Sequence, residues 1–122
     1  MIDSWAWIEY WKGGKFAKEA ARYIEGSEEA VVSTVNLSEI YYWILRYYDE
    51  GTASKKLTSV EKRCHLMPVE KNTAIEAARA RKRHSLAFAD SLVYATAKEA
   101  EAQLVTGDPD LRNLAGTVFL AT

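Results

Sequence analysis

Short β-branched runs alternate along the chain with longer segments of helical periodicity, and this alternation limits the fold more than any other feature. Parallel strands need long crossover connections, which are usually helices, so the pattern is typical of a mostly parallel sheet. With 122 residues the chain is long enough to bury a core. The sequence therefore predicts one α/β domain spanning residues 1–122.

The predicted elements follow the chain in order. The strands are residues 30–35, 65–69, 103–106 and 117–120, with Met1 and Ile2 as the only residues able to form a first strand before Asp3. The helices are residues 4–11, 15–25, 37–50, 52–64, 72–83 and 86–102. Gly26 is expected to end the second helix and Gly51 the third, because glycine is the usual residue after a helix C-terminus.

Composition excludes several classes of protein. Hydrophobic residues make up 48% and charged residues 27%, as in ordinary globular domains. No apolar run approaches the ~20 residues that cross a bilayer, and the N-terminus has no signal-peptide pattern. Cys64 is the single cysteine, so it cannot form an internal disulfide or a cysteine metal site. We expect a cytoplasmic protein that does not enter membranes.

Three carboxylates are expected at one edge of the predicted sheet. Asp3 follows the short first strand, Asp108 follows the strand at 103–106, and Glu39 lies in the first turn of a predicted helix. Functional loops of parallel sheets lie at the carboxyl ends of the strands. The three side chains should therefore lie near one another.

Asp90 is unusual because it lies within the apolar segment "SLAFADSLVYATA". A carboxylate on such a helix is costly unless it is paired, hydrogen-bonded or bound to a metal. Taken singly, the other acids have simpler explanations. Asp3 could cap a helix, Glu39 could join Asn36 in a capping box, and Asp108 could be a turn residue. Their shared edge instead favours an oxygen-only site for Mg²⁺ or Mn²⁺.

Four segments carry a resemblance to a known family. "IDSWAWIEY", "NLSEI", "LAFADSLVYATA" and "LVTGDPDL" resemble, in order, the four acidic motifs of PIN domains, and most nearly those of VapC-type toxin ribonucleases. The resemblance implies a three-layer α/β/α sandwich whose first strand lies beside residues 103–106. It also implies a Mg²⁺- or Mn²⁺-dependent endoribonuclease, the toxin of a toxin–antitoxin pair.

The resemblance also implies roles for individual residues. Asp3, Glu39, Asp90 and Asp108 would be catalytic. The metal ligands would be the three aspartates, with Glu39 as a further ligand or a group that orients water. Asp110 is matched less consistently, so it would support the site from outside the ligand set.

Ser4 and Thr106 could hydrogen-bond the acids and fix their rotamers, although both residue types are also common at caps and turns.

The segment "RARKRH" places Arg79, Arg81, Lys82 and Arg83 close to the predicted Asp90 helix. These cations, Arg79 and Arg83 in particular, could contact RNA phosphates, or they could simply complement a helix C-terminus. The total of 16 Lys and Arg against 17 Asp and Glu gives a net charge of −1. Setting four site carboxylates aside leaves 16 against 13, so a mildly basic surface around an acidic pocket is possible.

Two segments, "WAWIEYW" and "IYYWILRYY", hold more aromatic residues than a single core-facing stripe needs. We interpret them as surfaces for association, while a core wrapped by several helices is the alternative. The resemblance implies the same, since such toxins commonly form homodimers and are held inactive by an antitoxin protein.

A different class of function stays open. The chain could be a catalytically inactive PIN-like binding module whose acidic cluster holds a structural ion. A phosphatase with an aspartate nucleophile is disfavoured because Trp5, rather than a second aspartate, stands two residues after Asp3. A phosphate-binding glycine loop is absent, and Arg112 occupies a position that an EF-hand would use as a ligand.

Overall fold

The computed structural model describes residues 1–121, in which helices alternate with short strands as the sequence predicts. The strands are β1 (Val31–Ser33), β2 (His65–Met67), β3 (Leu104–Thr106) and β4 (Thr117–Phe119). The helices are α1 (Ser4–Lys12), α2 (Ala17–Ile24), α3 (Thr34–Tyr47), α4 (Glu50–Arg63), α5 (Lys71–His84) and α6 (Phe88–Glu99), with a 3₁₀ turn at Pro109–Leu111.

Residues 1–3 join two parallel strand pairs, β1–β2 and β3–β4, into one sheet. The backbone N–H of Val105 donates to Met1 at 2.8 Å, and that of Asp3 donates to Val105 at 3.0 Å. On the other side, the N–H of Ile2 donates to the carbonyl of Val31 at 3.2 Å. The order is β2, β1, residues 1–3, β3, β4. The first strand therefore lies beside β3, as the family resemblance implied.

Neighbouring residues on the inner strands enter different cores, because side chains alternate between the faces of a sheet. Ile2, Val32 and Val105 pack with residues of α1 to α4. Met1 and Leu104, each adjacent to one of these, pack instead with residues of α5 and α6. Helices thus cover both faces, and the three-layer α/β/α sandwich is confirmed.

The first strand–helix junction lies earlier than predicted. The predicted strand 30–35 ends at Ser33, and the helix expected from residue 37 begins at Thr34. A capping box explains the difference: Ser33 Oγ accepts from the N–H of Val35 at 3.0 Å, and Asn36 Oδ1 accepts from that of Ser33 at 3.1 Å. Asn36 is therefore paired with Ser33, and its expected partner Glu39 lies in the second turn.

Gly51 does not end a helix, contrary to the prediction. It lies in the first turn of α4, while α3 already ends at Tyr47. Asp49 caps α4, because its Oδ1 accepts from the N–H of Thr52 at 2.7 Å. The capping aspartate, rather than the glycine, marks this boundary. The Asp90 helix α6 is also shorter than predicted, spanning Phe88–Glu99.

The two aromatic segments have different environments. On α1, Trp7 is buried, while Trp5, Tyr10 and Trp11 pack against the same core, so the core alternative describes this segment better than a surface. On α3 the outer residues Tyr42, Leu45 and Tyr47 are exposed, as is Tyr48 directly after the helix. Despite this apolar content, no helix within residues 1–121 has the length and hydropathy to cross a membrane.

Replacing Ser33 with alanine tests the capping box. We expect Ser33→Ala to lower the free energy of unfolding by about 1–2 kcal/mol, because it removes the acceptor for a helix N–H in a buried place. That loss corresponds to about 4–8 °C in Tm for a domain of this size. The exposed Ser59→Ala on α4 is the control and should leave Tm nearly unchanged. Equal Tm values for the two variants would contradict the assigned cap.

Candidate metal centre

Five carboxylates from separate parts of the chain meet at the carboxyl edge of the sheet. Asp3 follows the first strand, and Asp108 and Asp110 follow β3. Glu39 comes from α3 and Asp90 from the first turn of α6. The structure thus brings together all four acids expected to be catalytic, together with Asp110. Packing of α3 and α6 against β1 carries their two acids to this edge.

The tightest group within the described chain contains Asp90, Asp108 and Asp110. Each offers a carboxylate oxygen, and these atoms all lie within 4.8 Å of one another. Asp110, which we expected outside the ligand set, thus lies inside this group. Asp108 also organises its own loop, since its Oδ1 accepts from the N–H of Asp110 at 3.0 Å. Asp108 therefore acts both as the turn residue of the simpler alternative and as a member of the acidic cluster.

Asp3 is the most deeply buried acid of the site and is held by neutral donors. Thr106 Oγ1 donates to Asp3 Oδ2 at 2.7 Å, and Asn36 Nδ2 donates to Asp3 Oδ1 at 2.9 Å. Although Asp3 occupies the N-cap position of α1, its side chain makes no capping hydrogen bond. Both of its oxygens instead accept hydrogen bonds from side chains of other elements, which fixes their orientation.

Ser4 and Thr106 connect the acids to one another. Ser4 Oγ donates to Glu39 Oε1 at 2.8 Å and lies 3.5 Å from Asp3 Oδ1. Thr106 Oγ1, besides donating to Asp3, accepts from the N–H of Asp108 at 3.0 Å. The two hydroxyls therefore link the carboxylates of Asp3 and Glu39 to each other and to the backbone of Asp108.

Asn36 is a site residue that sequence reasoning missed. It is fully buried, and its amide spans two structures: Oδ1 completes the α3 cap and Nδ2 donates to Asp3. The available signal was its position three residues after Ser33, which is the spacing of a capping box. That spacing gives no indication of the second hydrogen bond, which depends on the tertiary fold.

Burial and mutual repulsion shift the acids toward their protonated forms. Burial, together with the charges of Glu39 and Asp108, raises the pKa of Asp3 to about 6. Burial and the charges of Asp108, Asp3 and Asp110 raise the pKa of Asp90 to about 6. The pKa of Glu39 is also raised, by burial and by Asp90. The acids are therefore close enough to interact strongly.

No cationic side chain among the described residues forms a salt bridge with this negative charge. The salt bridges formed within residues 1–121 join Lys12 to Glu9 and Arg79 to Glu76, so neither involves an acid of the site. A cluster of carboxylate oxygens without a protein cation matches the ligand preference of Mg²⁺ or Mn²⁺. The donor set therefore fits a hard divalent ion.

A close contact between Trp5 and Gly107 sets the position of the Asp108 loop. A Cβ atom added at Gly107 would lie 2.3 Å from Cη2 of the Trp5 ring, which is closer than real contacts allow. Gly107 precedes Asp108, and Trp5 is two residues from Asp3. The absence of a side chain at position 107 thus lets the two acidic segments approach each other.

The basic residues of α5 lie on two sides of the α5–α6 pair. Arg83 lines a groove of about 290 Å³ with Lys98 and Glu99, and Arg79 is paired with Glu76. Arg81 and Lys82 line a second groove of about 430 Å³ that also contains residues of the first turn of α6. The four cations are therefore not one continuous patch.

Comparison with known proteins agrees with this geometry. The family model of the PIN domain matches residues 1–117. A solved toxin–antitoxin complex from Klebsiella pneumoniae is similar with a TM-score of 0.79 and 19% identity, covering 96% of this chain and 93% of that chain. VapBC2 from Rickettsia felis, solved bound to a promoter DNA fragment, gives 0.74 and 14%, covering 98% and 95%. Among curated protein sequences, none matches. Because the family model spans nearly the whole chain, the protein belongs to the PIN-domain family.

Proposed function

We propose that this protein is a Mg²⁺- or Mn²⁺-dependent endoribonuclease that hydrolyses RNA phosphodiester bonds. The observation that carries the proposal is the convergence of five carboxylates that form no salt bridge with a cationic side chain among residues 1–121. Such an arrangement is costly for folding, which is the usual mark of a site kept for function. Membership of the PIN family supports the same reaction class.

The surroundings of each acid determine the role that we propose for it in catalysis. Asp90, Asp108 and Asp110 would hold the ion, with Asp3 contributing charge or a direct ligand from its fixed position. A bound Mg²⁺ lowers the pKa of water and polarises a phosphoryl oxygen. Glu39, oriented by Ser4, would position the attacking water and accept its proton.

We infer further that the protein is a VapC-type toxin with a cognate antitoxin and a homodimeric form. One similar solved structure is described as a toxin–antitoxin complex and the other as VapBC2 bound to promoter DNA, and these descriptions support a protein partner for this chain. The exposed residues Tyr42, Leu45 and Tyr47 on α3, with Tyr48 directly after it, provide an apolar surface suited to association.

Asp90→Asn tests the proposed metal site. We expect the variant to fold but to lose RNA cleavage by at least about 100-fold in Mg²⁺, because one ligand carboxylate is replaced by a neutral amide. Cleavage is measured on several RNAs with and without EDTA, and chelation should abolish wild-type activity. Expression of the wild type should arrest growth, and Asp90→Asn should relieve the arrest.

The control for Asp90→Asn is Glu61→Gln, which neutralises an exposed acid on α4 outside the cluster. It should cleave RNA at the wild-type rate. Full activity of Asp90→Asn would remove Asp90 from the mechanism. A wild-type protein that cleaves no RNA in either metal would favour the inactive binding module.

Gly107→Ala tests whether the Trp5 contact positions Asp108. The added methyl group must displace the indole ring or the loop, so we expect RNA cleavage to fall about 10- to 100-fold. Trp5→Leu in the same chain removes the clash and should restore part of the activity. Gly51→Ala is the control, because a Cβ there meets Asp49 Oδ1 at an ordinary 3.5 Å. Unchanged cleavage by Gly107→Ala would show that the contact does not matter for the site.

The raised pKa values predict how stability depends on pH in EDTA. Asp3 and Asp90 have pKa values of about 6 in the folded protein, above the ~3.9 of an unfolded chain. Ionisation therefore opposes folding, and stability should fall as the pH rises from about 4 to about 6. Since Asp90 is half-exposed, we expect Asp90→Asn to be more stable than the wild type by only about 1 kcal/mol at about pH 7.5.

At about pH 4 the difference should vanish, because the wild-type carboxyl is then protonated. Added Mg²⁺ at neutral pH should raise the Tm of the wild type more than that of Asp90→Asn. Thermal unfolding followed by circular dichroism measures both effects. Equal stability of the two proteins in EDTA at neutral pH would contradict the electrostatic coupling.

A further inference from the structure

The groove of about 290 Å³ between α5 and α6 combines charged side chains with a buried floor. Ala80, Tyr94 and Ala95 form part of the floor, while the exposed residue Lys98 also lines the groove. Lys98 follows Asp90 by more than two turns of α6, and helix geometry places it about 12 Å further along the axis. The groove is therefore separate from the acidic cluster.

The two acids that line this groove, Glu76 and Glu99, already have protein partners. Glu99 accepts a hydrogen bond from the buried hydroxyl of Thr73. Glu76 forms a salt bridge with Arg79 on its own helix. Neither carboxylate therefore needs a cation of the groove as its partner.

The two cations that line the groove have no such partners. Arg83 and Lys98 form no salt bridge among residues 1–121. The ammonium group of Lys98 lies instead 5.3 Å from the centre of the Tyr94 ring. A guanidinium and an ammonium group in one groove, without a carboxylate bound to either, favour an anionic ligand.

Tyr94 adds a neutral donor to these cations. The residue is only 3% exposed, and its hydroxyl takes part in none of the side-chain hydrogen bonds of α6 within the described chain, which involve Ser91, Thr96 and Glu99. The fully buried polar side-chain atoms that lack a partner there are Trp7 Nε1 and Thr117 Oγ1. The Tyr94 oxygen is not one of them, so it keeps contact with solvent and can donate to a ligand.

A second, apolar groove adjoins the first at Tyr94 and Lys98, which line both. Its volume is about 280 Å³, and it extends from α6 to Ala102, to Leu104 at the start of β3 and to Ala115 in the turn before β4. An anionic group held by the two cations therefore has apolar surface beside it. This surface can bury a short hydrocarbon tail.

We propose that the two adjoining grooves form a binding site for an amphipathic organic anion. Its carboxylate or phosphate head group would bind Arg83, Lys98 and the Tyr94 hydroxyl, and its short aliphatic tail would lie in the apolar groove. No acid of the metal centre lines either groove. The site is therefore a further binding function, independent of the proposed ribonuclease activity.

Binding is measured by NMR, from the amide chemical shifts of the isotope-labelled protein titrated with octanoate in EDTA. We expect saturable binding, with shift changes confined to α5, the second half of α6 and the turn before β4. Octanamide has the same tail without the charge, and acetate has the charge without the tail. Each should bind at least about tenfold more weakly than octanoate. Octyl phosphate should also bind, and the ratio of its Kd to that of octanoate identifies the preferred head group.

Single substitutions assign the head group and the tail to their grooves. Arg83→Gln, Lys98→Gln and Tyr94→Phe should each weaken octanoate binding about three- to tenfold. Lys82→Gln removes the same charge from the other side of α5 and should change Kd by less than about twofold. Ala115→Leu, at an exposed position, fills part of the apolar groove and should weaken the binding of octanoate but not of acetate.

The proposal is overturned if octanoate shows no saturable binding below its micelle concentration, or if octanamide binds equally well. Shift changes outside the two grooves would also overturn it, as would Arg83→Gln and Lys98→Gln variants that bind octanoate as tightly as Lys82→Gln. RNA cleavage by the wild type is a separate measurement. Loss of this site from the account would therefore leave the ribonuclease proposal unchanged.

Discussion

The concentration of negative charge at one edge of the sheet is the constraint on which the rest of the structure depends. Asp3 and Asp90 both carry pKa values raised to about 6, so bringing the acids together opposes folding at neutral pH. Neutral donors from Thr106, Asn36 and Ser4 partly offset that cost. Because these donors bring no positive charge, they orient the carboxylates while leaving their charge available to a divalent ion.

The same short segment builds both the sheet and the site. Residues 1–3 hydrogen-bond to β1 on one side and to β3 on the other, so they hold the two strand pairs together. The segment ends in Asp3, whose position is therefore fixed by the backbone of the central strand. Asn36 adds a second link, since one amide joins the cap of α3 to Asp3. A substitution that disturbs this segment would therefore affect both the fold and the acidic site.

Sequence reasoning predicted the parts of this protein that depend on local pattern. Strand–helix alternation was sufficient for an α/β domain with a mostly parallel sheet, and the acids that follow its strands indicated one acidic edge. The three-layer sandwich was implied by the family resemblance. The proximity of Asp110 to Asp90 was not predicted, because it depends on how the turn after β3 folds. Gly51 was misread because the Asp49 cap outweighs a glycine in deciding where a helix begins. The aromatic residues of α1 gave no periodic signal because helices surround them on several sides.

An acidic site that acts on RNA has to overcome its own repulsion of the phosphate backbone. The net charge of the chain does not reduce this repulsion, since it is −1. The distribution of cations matters more: Arg79 is neutralised by Glu76, whereas Arg81 and Lys82 lie beside the first turn of α6 without an acidic partner among residues 1–121. The charges that shift the pKa values of Asp3, Glu39 and Asp90 are all carboxylates, so positive charge in the described part of the chain is kept outside the cluster. A cation inside would compete with the divalent ion for the carboxylates, while one at this distance can attract a polyanion and leave the ligands free.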